Sequence, residues 1–190
     1  MKMTELLTRR SLLKAGFALA TSSVMPSSVM AAVHAFAEEE KRSLHFYNVH
    51  TGESLKTVYW EQGVYVSDAM KDIAYIMRDY RSNDMIDIDP HLLDVIALLH
   101  KNLDSRKPFD VISGYRTPRT NAYLHKHTGG VNPNSLHMQG KAIDIRLDDC
   151  RLRQVRDMAT SMHKGGVGYY PGSDFVHIDT GPVKHWRYDL

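Results

Sequence analysis

The sequence contains a single cysteine, Cys150, and no glutamate beyond Glu61, in a chain of 190 residues. One cysteine cannot form an internal disulfide, so a packed core must stabilise the fold. Because no glutamate follows Glu61, the last two thirds of the chain cannot supply a glutamate as general base. Hydrophobic residues make up 43% and charged residues 24% of the chain. This composition is typical of globular proteins and excludes a collagen-like repeat, a disulfide scaffold and a mostly disordered chain.

The chain also carries little net charge, with a formal value of +2 at pH 7. Four basic side chains and one acidic side chain in residues 1–37 contribute +3, which leaves −1 for the remaining residues. A body this close to neutrality gives no electrostatic reason to expect nucleic-acid binding.

The first 37 residues have the layout of an export signal. Arg9 and Arg10 precede an apolar, alanine-rich stretch at 15–24, and small residues end in Ala35-Phe36-Ala37. A positive head, an apolar middle and a small-residue cleavage site are typical of a signal peptide, and paired arginines are typical of the twin-arginine route. The apolar stretch is shorter than the roughly 20 residues of a membrane span.

We therefore expect a twin-arginine signal peptide at 1–37 and a periplasmic domain at 38–190. The twin-arginine export machinery is then a partner, and no stable membrane insertion follows signal cleavage. Two alternatives fit the same residues. Cleavage after Ala31 or Ala32 also satisfies the small-residue rule, and the segment could instead be an amphipathic N-terminal helix of the domain.

The patterning of the remaining residues predicts one α+β domain. Periodicity and turn signals predict strands at 43–49, 54–60, 109–115, 141–147, 167–170 and 175–179, and helices at 67–80, 90–103, 118–123 and 152–163. Runs of strands and runs of helices without regular alternation favour a central antiparallel sheet with flanking helices.

Three residues of the types that bind metals stand on or beside two of these strands. Asp144 falls on the polar face of its strand, because Ile143 and Ile145 alternate with it. His177 lies in a similar apolar alternation, and His137 precedes Asp144 by seven residues. Two histidines and a carboxylate are a standard set for catalytic zinc. Each residue alone is more often structural, and spacing alone does not join the three.

A resemblance joins them. The strings Ser113-Gly114-Tyr115-Arg116, Ser135-x-His137-x-x-Gly140-x-Ala142-x-Asp144 and Phe175-Val176-His177-Ile178-Asp179 are similar to the motifs of zinc peptidases of the D-alanyl-D-alanine carboxypeptidase and hedgehog superfamily. Other stretches, including His50-Thr51-Gly52-Glu53-Ser54, resemble its murein endopeptidase branch in Gram-negative bacteria.

The resemblance implies the hedgehog-like α+β fold and Zn²⁺ bound by His137, Asp144 and His177. It also implies hydrolysis of peptide cross-links in peptidoglycan, whose stem peptides are then the substrate. The bond is either the 3-3 link between two meso-diaminopimelate residues or the 4-3 link from D-alanine to diaminopimelate.

The same motif suggests how substrate is held. The planar guanidinium of Arg116 can clamp a carboxylate with two hydrogen bonds, and stem peptides are rich in carboxylates. We assign Arg116, with Ser113 and Tyr115 of its motif, to substrate binding. The alternative for Arg116 is a surface salt bridge. Tyr169, Tyr170 and Trp186 fit either a substrate groove or ordinary packing.

The general base is harder to assign. Related enzymes use a glutamate three residues before the last zinc ligand or a histidine two residues before it, and these positions hold Asp174 and Phe175 here. The candidates are His185, whose ordinary pKa suits proton transfer near neutral pH, Asp179, two residues from His177, and Asp174. His185 and Asp179 rank above Asp174.

Two other functions remain open on the same fold. One is a D,D-carboxypeptidase that trims terminal D-alanine, and the other is a peptidoglycan-binding module without turnover. The missing glutamate base favours the second, whereas the complete ligand set, Arg116 and the export signal favour an enzyme.

Overall fold

The computed structural model describes residues 26–189 as one α+β domain in which helices pack on a single sheet. The α-helices are α1 (Ser27–Ala37), α2 (Ser67–Ile76), α3 (Pro90–Asn102), α4 (Pro118–His127) and α5 (Leu152–Ser161). Two short 3-10 helices span Leu136–Gln139 and Pro171–Ser173. None of the helices in the described part of the chain is long and apolar enough to cross a membrane.

The sheet has eight strands in the order β3-β2-β1-β4-β5-β7-β6-β8. The strands are β1 (Lys41–Asn48), β2 (Ser54–Glu61), β3 (Val64–Tyr65), β4 (Phe109–Ser113), β5 (Ala142–Arg146), β6 (Gly166–Tyr170), β7 (Phe175–Asp179) and β8 (Lys184–Arg187). The α+β class is therefore confirmed.

The sheet is mixed, which refines the expectation of an antiparallel one. Five strand pairs are antiparallel, but β1 pairs with β4 and β6 pairs with β8 in parallel. A parallel pair needs a long connection, and the segment between β1 and β4 supplies one that contains α2 and α3. β8 was not predicted, because its four residues lack apolar alternation.

One face of the sheet carries the hydrophobic core. Helices α3 and α5 pack on this face, against β1, β6 and β7. Alternation in β5 buries Ile143 and Ile145 in the core, and burial of each such side chain stabilises the fold by about 1.5–3 kcal/mol. Asp144 projects from the opposite face, so the sequence pattern that makes β5 a strand also places a carboxylate outside the core.

Helix α1 falls inside the predicted signal peptide. Val29 and Phe36 are buried in the core cluster, and α1 lies against α3. Residues 1–25, with the paired arginines, lie outside the described residues. The signal boundary at 37 therefore stays a prediction, and the helix accords with the alternative of an N-terminal helix in this segment.

Helix α2 ends earlier than predicted, at Ile76 and not near residue 80. The Met77 carbonyl accepts a hydrogen bond from the Tyr115 N–H at 2.7 Å, so the chain leaves the helix to meet the motif after β4. Two residues on, Asp79 is buried and accepts from the backbone N–H and hydroxyl of Thr117 at 2.9 and 3.0 Å. Asp79 therefore anchors the start of α4 next to Arg116.

We expect Asp79→Asn to lower the free energy of unfolding by about 1–3 kcal/mol at pH 7, because hydrogen bonds to a buried charge are lost. Burial raises the pKa of Asp79, but hydrogen bonds from nearby hydroxyl and backbone N–H groups outweigh it and lower the pKa below its ordinary value. A lowered pKa means that the stabilisation is present above the ordinary value and is lost as pH falls through the lowered one.

Urea unfolding of the wild type and the Asp79→Asn variant, at pH values from 7 downwards, measures the difference between their free energies of unfolding. This difference should become smaller below about pH 4. Asp84→Asn is the matched control, because Asp84 is exposed and such changes alter stability by about 0.5 kcal/mol or less. A difference that stays constant down to pH 2 would contradict the role given to Asp79.

Candidate metal centre and substrate cleft

His137 reaches the sheet from the 3-10 helix that precedes β5. The Ser135 side chain caps this helix by accepting from the His137 N–H. Gly140 ends it with φ 66°, and a Cβ there would lie 2.4 Å from the Asp87 carbonyl oxygen. Only glycine fits both the left-handed conformation and this close approach, so the Gly140 of the motif lets the chain turn from His137 into β5.

The other two ligand-type residues come from adjacent strands. Asp144 of β5 is paired directly with His177 of β7, so both side chains leave the sheet on the same face. The structure brings His137, Asp144 and His177 together as a buried cluster with the composition of a metal site. We call these three residues the ligand triad.

The spacing of the triad fits a tetrahedral ion. His177 Nδ1 is 2.8 Å from Asp144 Oδ1, and His137 Nε2 is 3.2 Å from Asp144 Oδ1 and 3.1 Å from His177 Nδ1. Atoms bound to tetrahedral zinc at about 2.0–2.2 Å stand about 3.3 Å apart. Three ligands leave the fourth position of such an ion open for water or substrate.

Hydrogen bonds on the outer side of each ring orient the histidines. The Gly114 carbonyl oxygen can only accept, so His137 donates to it from Nδ1 at 2.6 Å and leaves a lone pair on Nε2. His177 donates from Nε2 to Asp179 Oδ2 at 3.1 Å and leaves a lone pair on Nδ1. Two lone pairs and a carboxylate oxygen thus converge on one point, where all three could bind the same cation.

The electrostatics of Asp144 and His137 favour the forms that bind metals. Burial raises the pKa of Asp144, but the hydrogen bonds from the two histidines outweigh it and hold that pKa far below its usual range. Burial lowers the pKa of His137, which keeps the ring neutral.

His177 behaves differently from His137. Burial lowers its pKa too, but hydrogen bonds with Asp144 and Asp179 outweigh burial and raise the pKa overall. A proton and a metal ion therefore compete for His177 Nδ1, and metal affinity falls as pH falls through this raised pKa.

Arg116 stands beside the triad with its side chain 11% exposed. Its Nη2 donates to Ser135 Oγ at 3.1 Å, and its Nη1 lies 4.0 Å from Asp144 Oδ2. Its Nε is buried without a hydrogen-bond partner among the described residues. Burial lowers the pKa of Arg116, yet a guanidinium remains charged in proteins. Arg116 thus retains hydrogen-bonding capacity next to the predicted metal position.

A cleft of about 420 Å³ crosses the sheet face that carries the triad. Its floor runs from His50, just after β1, across β4, β5, β7 and β6 to Lys184 on β8. At about 4.8 Å between strands, this is on the order of 24 Å. The cleft extends to both sides of Asp144 and His177, with Tyr80 and Arg81 towards one end and Trp186 and Tyr188 towards the other.

Trp186 forms part of the wall beside His177. The two rings have centroids 5.3 Å apart, and Trp186 Nε1 donates to the Tyr170 hydroxyl at 3.0 Å. A Cβ at Gly168 would lie 2.6 Å from the indole, so glycine is what lets the ring lie flat on β6. Tyr170 and Trp186 thus line the groove, whereas Tyr169 packs against the core.

The three candidate bases have different positions. Only Asp179 lines the cleft. Its Oδ1 accepts from the backbone N–H groups of Gly166 and Gly181 at 3.0 and 2.8 Å, while Oδ2 accepts from His177. Burial raises the pKa of Asp179, but these bonds outweigh it and lower the pKa overall. Both carboxylate oxygens of Asp179 are thus hydrogen-bonded, and one of them holds the outer nitrogen of His177.

His185 and Asp174 lie outside the cleft lining. In the β6–β8 pairing, Trp186 lies opposite Gly168 while His185 lies opposite Val167, a core residue. Neighbouring residues on a strand face opposite sides, so His185 points away from the triad. Asp174 occupies a left-handed turn and pairs with Arg146 at 3.2 Å.

The two residues that were predicted to bind substrate together with Arg116 also occupy different positions. Ser113 lines the cleft. Tyr115 is not among the lining residues, and its backbone N–H bonds the Met77 carbonyl. Sequence reasoning missed the far walls, which include His50, Tyr80, Arg81 and Lys184, because no local pattern ties these residues to the motifs.

Comparison with known proteins accords with this geometry. The family model Peptidase_M15_2, described as peptidoglycan L,D-endopeptidase MepK, matches residues 36–186. The chain belongs to this peptidase family. It is 39% identical over 178 residues to peptidoglycan L,D-endopeptidase MepK of Escherichia coli K12, which covers 94% of this chain and 96% of that protein. It is 39% identical over 180 residues to the probable MepK of Haemophilus influenzae, covering 94% and 95% respectively.

Membership in the MepK family confirms the resemblance on the motif residues, and with it the prediction of a peptidase. The ligand triad of the structure is consistent with a metallopeptidase.

We expect Asp179→Asn to weaken zinc binding by about 10- to 100-fold, because the amide no longer fixes the His177 tautomer as a carboxylate does. Competition with a zinc-sensitive dye measures the affinity at pH 7.5. His185→Gln is the control, because its ring lies on the other side of β8 and zinc affinity should be unchanged. Equal losses in both variants would show that Asp179 does not act through His177.

Proposed function

We propose that this protein is a zinc-dependent peptidoglycan endopeptidase that hydrolyses the 3-3 cross-link between two diaminopimelate residues. The observation that carries the proposal is the ligand triad on the floor of a cleft that extends to both sides of it. An extended cleft suits a bond in the middle of a cross-linked peptide better than a terminal residue, which favours an endopeptidase over a D,D-carboxypeptidase.

The choice of the 3-3 link rests on its stereochemistry. Its scissile amide joins the L centre of one diaminopimelate to the D centre of the next, which makes it an L,D bond. The relatives in E. coli and H. influenzae are named L,D-endopeptidases. The 4-3 link from D-alanine is a D,D bond and is the alternative substrate.

In this proposal His137, Asp144 and His177 hold Zn²⁺. A bound zinc ion would polarise the amide carbonyl and lower the pKa of a water molecule towards 7, which supplies a nucleophile at neutral pH. The chain keeps the triad ready for the ion, because Gly114 and Asp179 hold the outer N–H groups of the two rings. Hydrolysis consumes one water, leaving a carboxylate on the L centre and an amine on the D centre.

Arg116 supplies the positive charge that orients substrate beside the triad. Its Nη2 donates to Ser135, and its Nη1, 4.0 Å from Asp144 Oδ2, makes no hydrogen bond within the described residues. The D centre next to the scissile nitrogen carries a carboxylate that the arginine fork can bind. We propose that Arg116 holds this carboxylate, so that the amide carbonyl faces the triad.

Asp79 and Met77 fix the backbone on either side of Arg116 through Thr117 and Tyr115. The arginine is thus held from both directions along the chain. Such preorganisation reduces the conformational entropy that Arg116 loses when substrate binds.

We further propose that the twin-arginine signal at 1–37 exports the protein to the periplasm, where peptidoglycan lies. Paired arginines ahead of a short apolar stretch support the route, and relatives that act on peptidoglycan support the compartment. Replacing Arg9 and Arg10 with lysine should leave the protein in the cytoplasmic fraction. Periplasmic recovery of that variant would contradict the route.

Purified 3-3 and 4-3 cross-linked muropeptide dimers, incubated separately with the zinc-loaded protein, test the proposed activity. We expect the 3-3 dimer to be converted to monomers in a reaction that a chelator inhibits. Chromatography and mass spectrometry of the products measure this conversion. His137→Ala, which loses a zinc ligand, should show neither bound zinc nor turnover. Cleavage of the 4-3 dimer alone would reassign the bond, and intact dimers with zinc bound would favour a non-catalytic binding module.

Arg116→Gln tests substrate orientation separately from metal binding. We expect kcat/KM on the 3-3 dimer to fall by about 10- to 100-fold, in line with loss of a hydrogen bond to a charged group, while zinc content stays at one per chain. Zinc analysis of the same samples gives the control. Loss of zinc in this variant would mean that Arg116 instead stabilises the charge of Asp144.

A further inference from the structure

Arg81 lies in the cleft wall on one side of the triad. Its guanidinium lies over the ring of Tyr80, 4.2 Å from the centroid, and Tyr80 itself stacks on His50 at 3.9 Å. The Arg81 backbone N–H donates to Asp79 Oδ1 at 3.1 Å. The cation is therefore held over an aromatic platform that packing and hydrogen bonds keep in place.

Lys184 has the matching arrangement on the other side. Its Nζ lies 5.1 Å from the centroid of the Trp186 ring, and Trp186 is fixed by Tyr170 and by its contact with His177. Lys184 and Trp186 both line the cleft. Each side of the triad thus presents a cation over an aromatic ring.

Neither cation is neutralised within the described residues. Arg81 and Lys184 are exposed, and among residues 26–189 neither forms a salt bridge within 4.0 Å, whereas Arg187 on the same strand as Lys184 pairs with Asp189 at 2.7 Å. The two carboxylates that line the cleft, Asp144 and Asp179, are engaged by histidines. Arg81 and Lys184 are therefore available to an anionic ligand.

The order of strands places the triad between the two cations. His50, which holds the Tyr80 platform, bonds the Ile112 carbonyl on β4 at 3.0 Å. Asp144 and His177 follow on β5 and β7, and Lys184 lies on β8, two strands beyond His177. A ligand that contacts both cations must therefore pass over the triad.

We propose that Arg81 and Lys184 are two outer carboxylate sites that bind the cross-linked substrate on opposite sides of the scissile bond. This inference rests on the proposed function. In a 3-3 dimer each stem also carries the free α-carboxylate of its D-glutamate. One of these lies on the carbonyl side of the scissile bond and one on the nitrogen side, and both are distinct from the D-centre carboxylate assigned to Arg116. A peptide with carboxylates on both sides of its cleavage point matches a cleft with cations on both sides of its triad.

The pairing also gives selectivity. A stem that ends in D-alanine has a D-glutamate only on the carbonyl side of the scissile bond. The carboxylate of the leaving D-alanine lies next to the scissile nitrogen, within reach of Arg116 and not of an outer site, so a carboxypeptidase substrate meets one of the two cations. Contacts made equally in the bound substrate and in the transition state change KM and leave kcat unaltered. The two cations should therefore act on KM for cross-linked dimers, in contrast to a residue that takes part in the chemistry.

Three 3-3 dimers test this arrangement with Arg81→Gln and Lys184→Gln: the unmodified dimer, one with the carbonyl-side D-glutamate α-carboxylate converted to a carboxamide, and one with the nitrogen-side D-glutamate α-carboxylate converted. On the unmodified dimer each variant should raise KM by about three- to tenfold, with kcat changed less than about twofold. On one amidated dimer Arg81→Gln should have no further effect, and on the other Lys184→Gln should have none.

Arg187→Gln is the matched control, because Arg187 also lies over an aromatic ring, Tyr169, but outside the cleft lining. Its KM should equal that of the wild type on all three dimers. Equal losses on all three dimers for Arg81→Gln or Lys184→Gln would overturn the proposal, as would both variants losing their effect with the same dimer.

Calorimetric binding of the same dimers to the metal-free full-length protein separates this inference from the proposed activity. For each variant, the Kd should change among the three dimers in the same way as the KM. This comparison of Kd values does not require turnover. If the wild type cleaves no dimer but the pattern is present, the proposed activity fails while the two carboxylate sites stand. If the wild type cleaves the 3-3 dimer but the pattern is absent, the activity stands and the sites are wrong.

Discussion

The buried carboxylate of Asp144 is the charge around which the site is organised. An ionised group out of water is stable only when other charges and hydrogen bonds compensate for lost hydration. His177 and His137 lie 2.8 and 3.2 Å from its Oδ1, and Arg116 lies 4.0 Å from its Oδ2. The groups that would bind metal and substrate are thus also the groups that make this burial tolerable.

A second set of contacts fixes the orientation of those groups. The Gly114 carbonyl and the Asp179 carboxylate hold the outer nitrogens of the two histidines, while Asp79 anchors the chain just after Arg116. These contacts come from the turn after β4, from β7 and from the segment after α2. The site therefore depends on elements that are far apart in sequence. A substitution that disturbs any of these elements would change the geometry of the metal position indirectly.

The sequence predicted the parts of the site that lie on regular strands. Alternation in residues 141–147 and 175–179 was enough to put Asp144 and His177 on polar faces. It could not orient His185, because the face of β8 is set by its parallel pairing with β6 and its four residues have no apolar alternation. The cleft walls around Arg81 depend on α2 ending at Ile76, where a tertiary contact overrides the helical periodicity.

The direct pairing of Asp144 with His177 has a consequence for folding. Side chains alternate between the faces of a sheet, so a slip of one residue between β5 and β7 would send one of the two ligands into the core. An ion at this position can be bound only by the chain in its native register. Zinc would then stabilise only the native strand register, because it lowers the free energy of molecules in which β5 and β7 are correctly paired. Molecules with a slipped register would be unaffected.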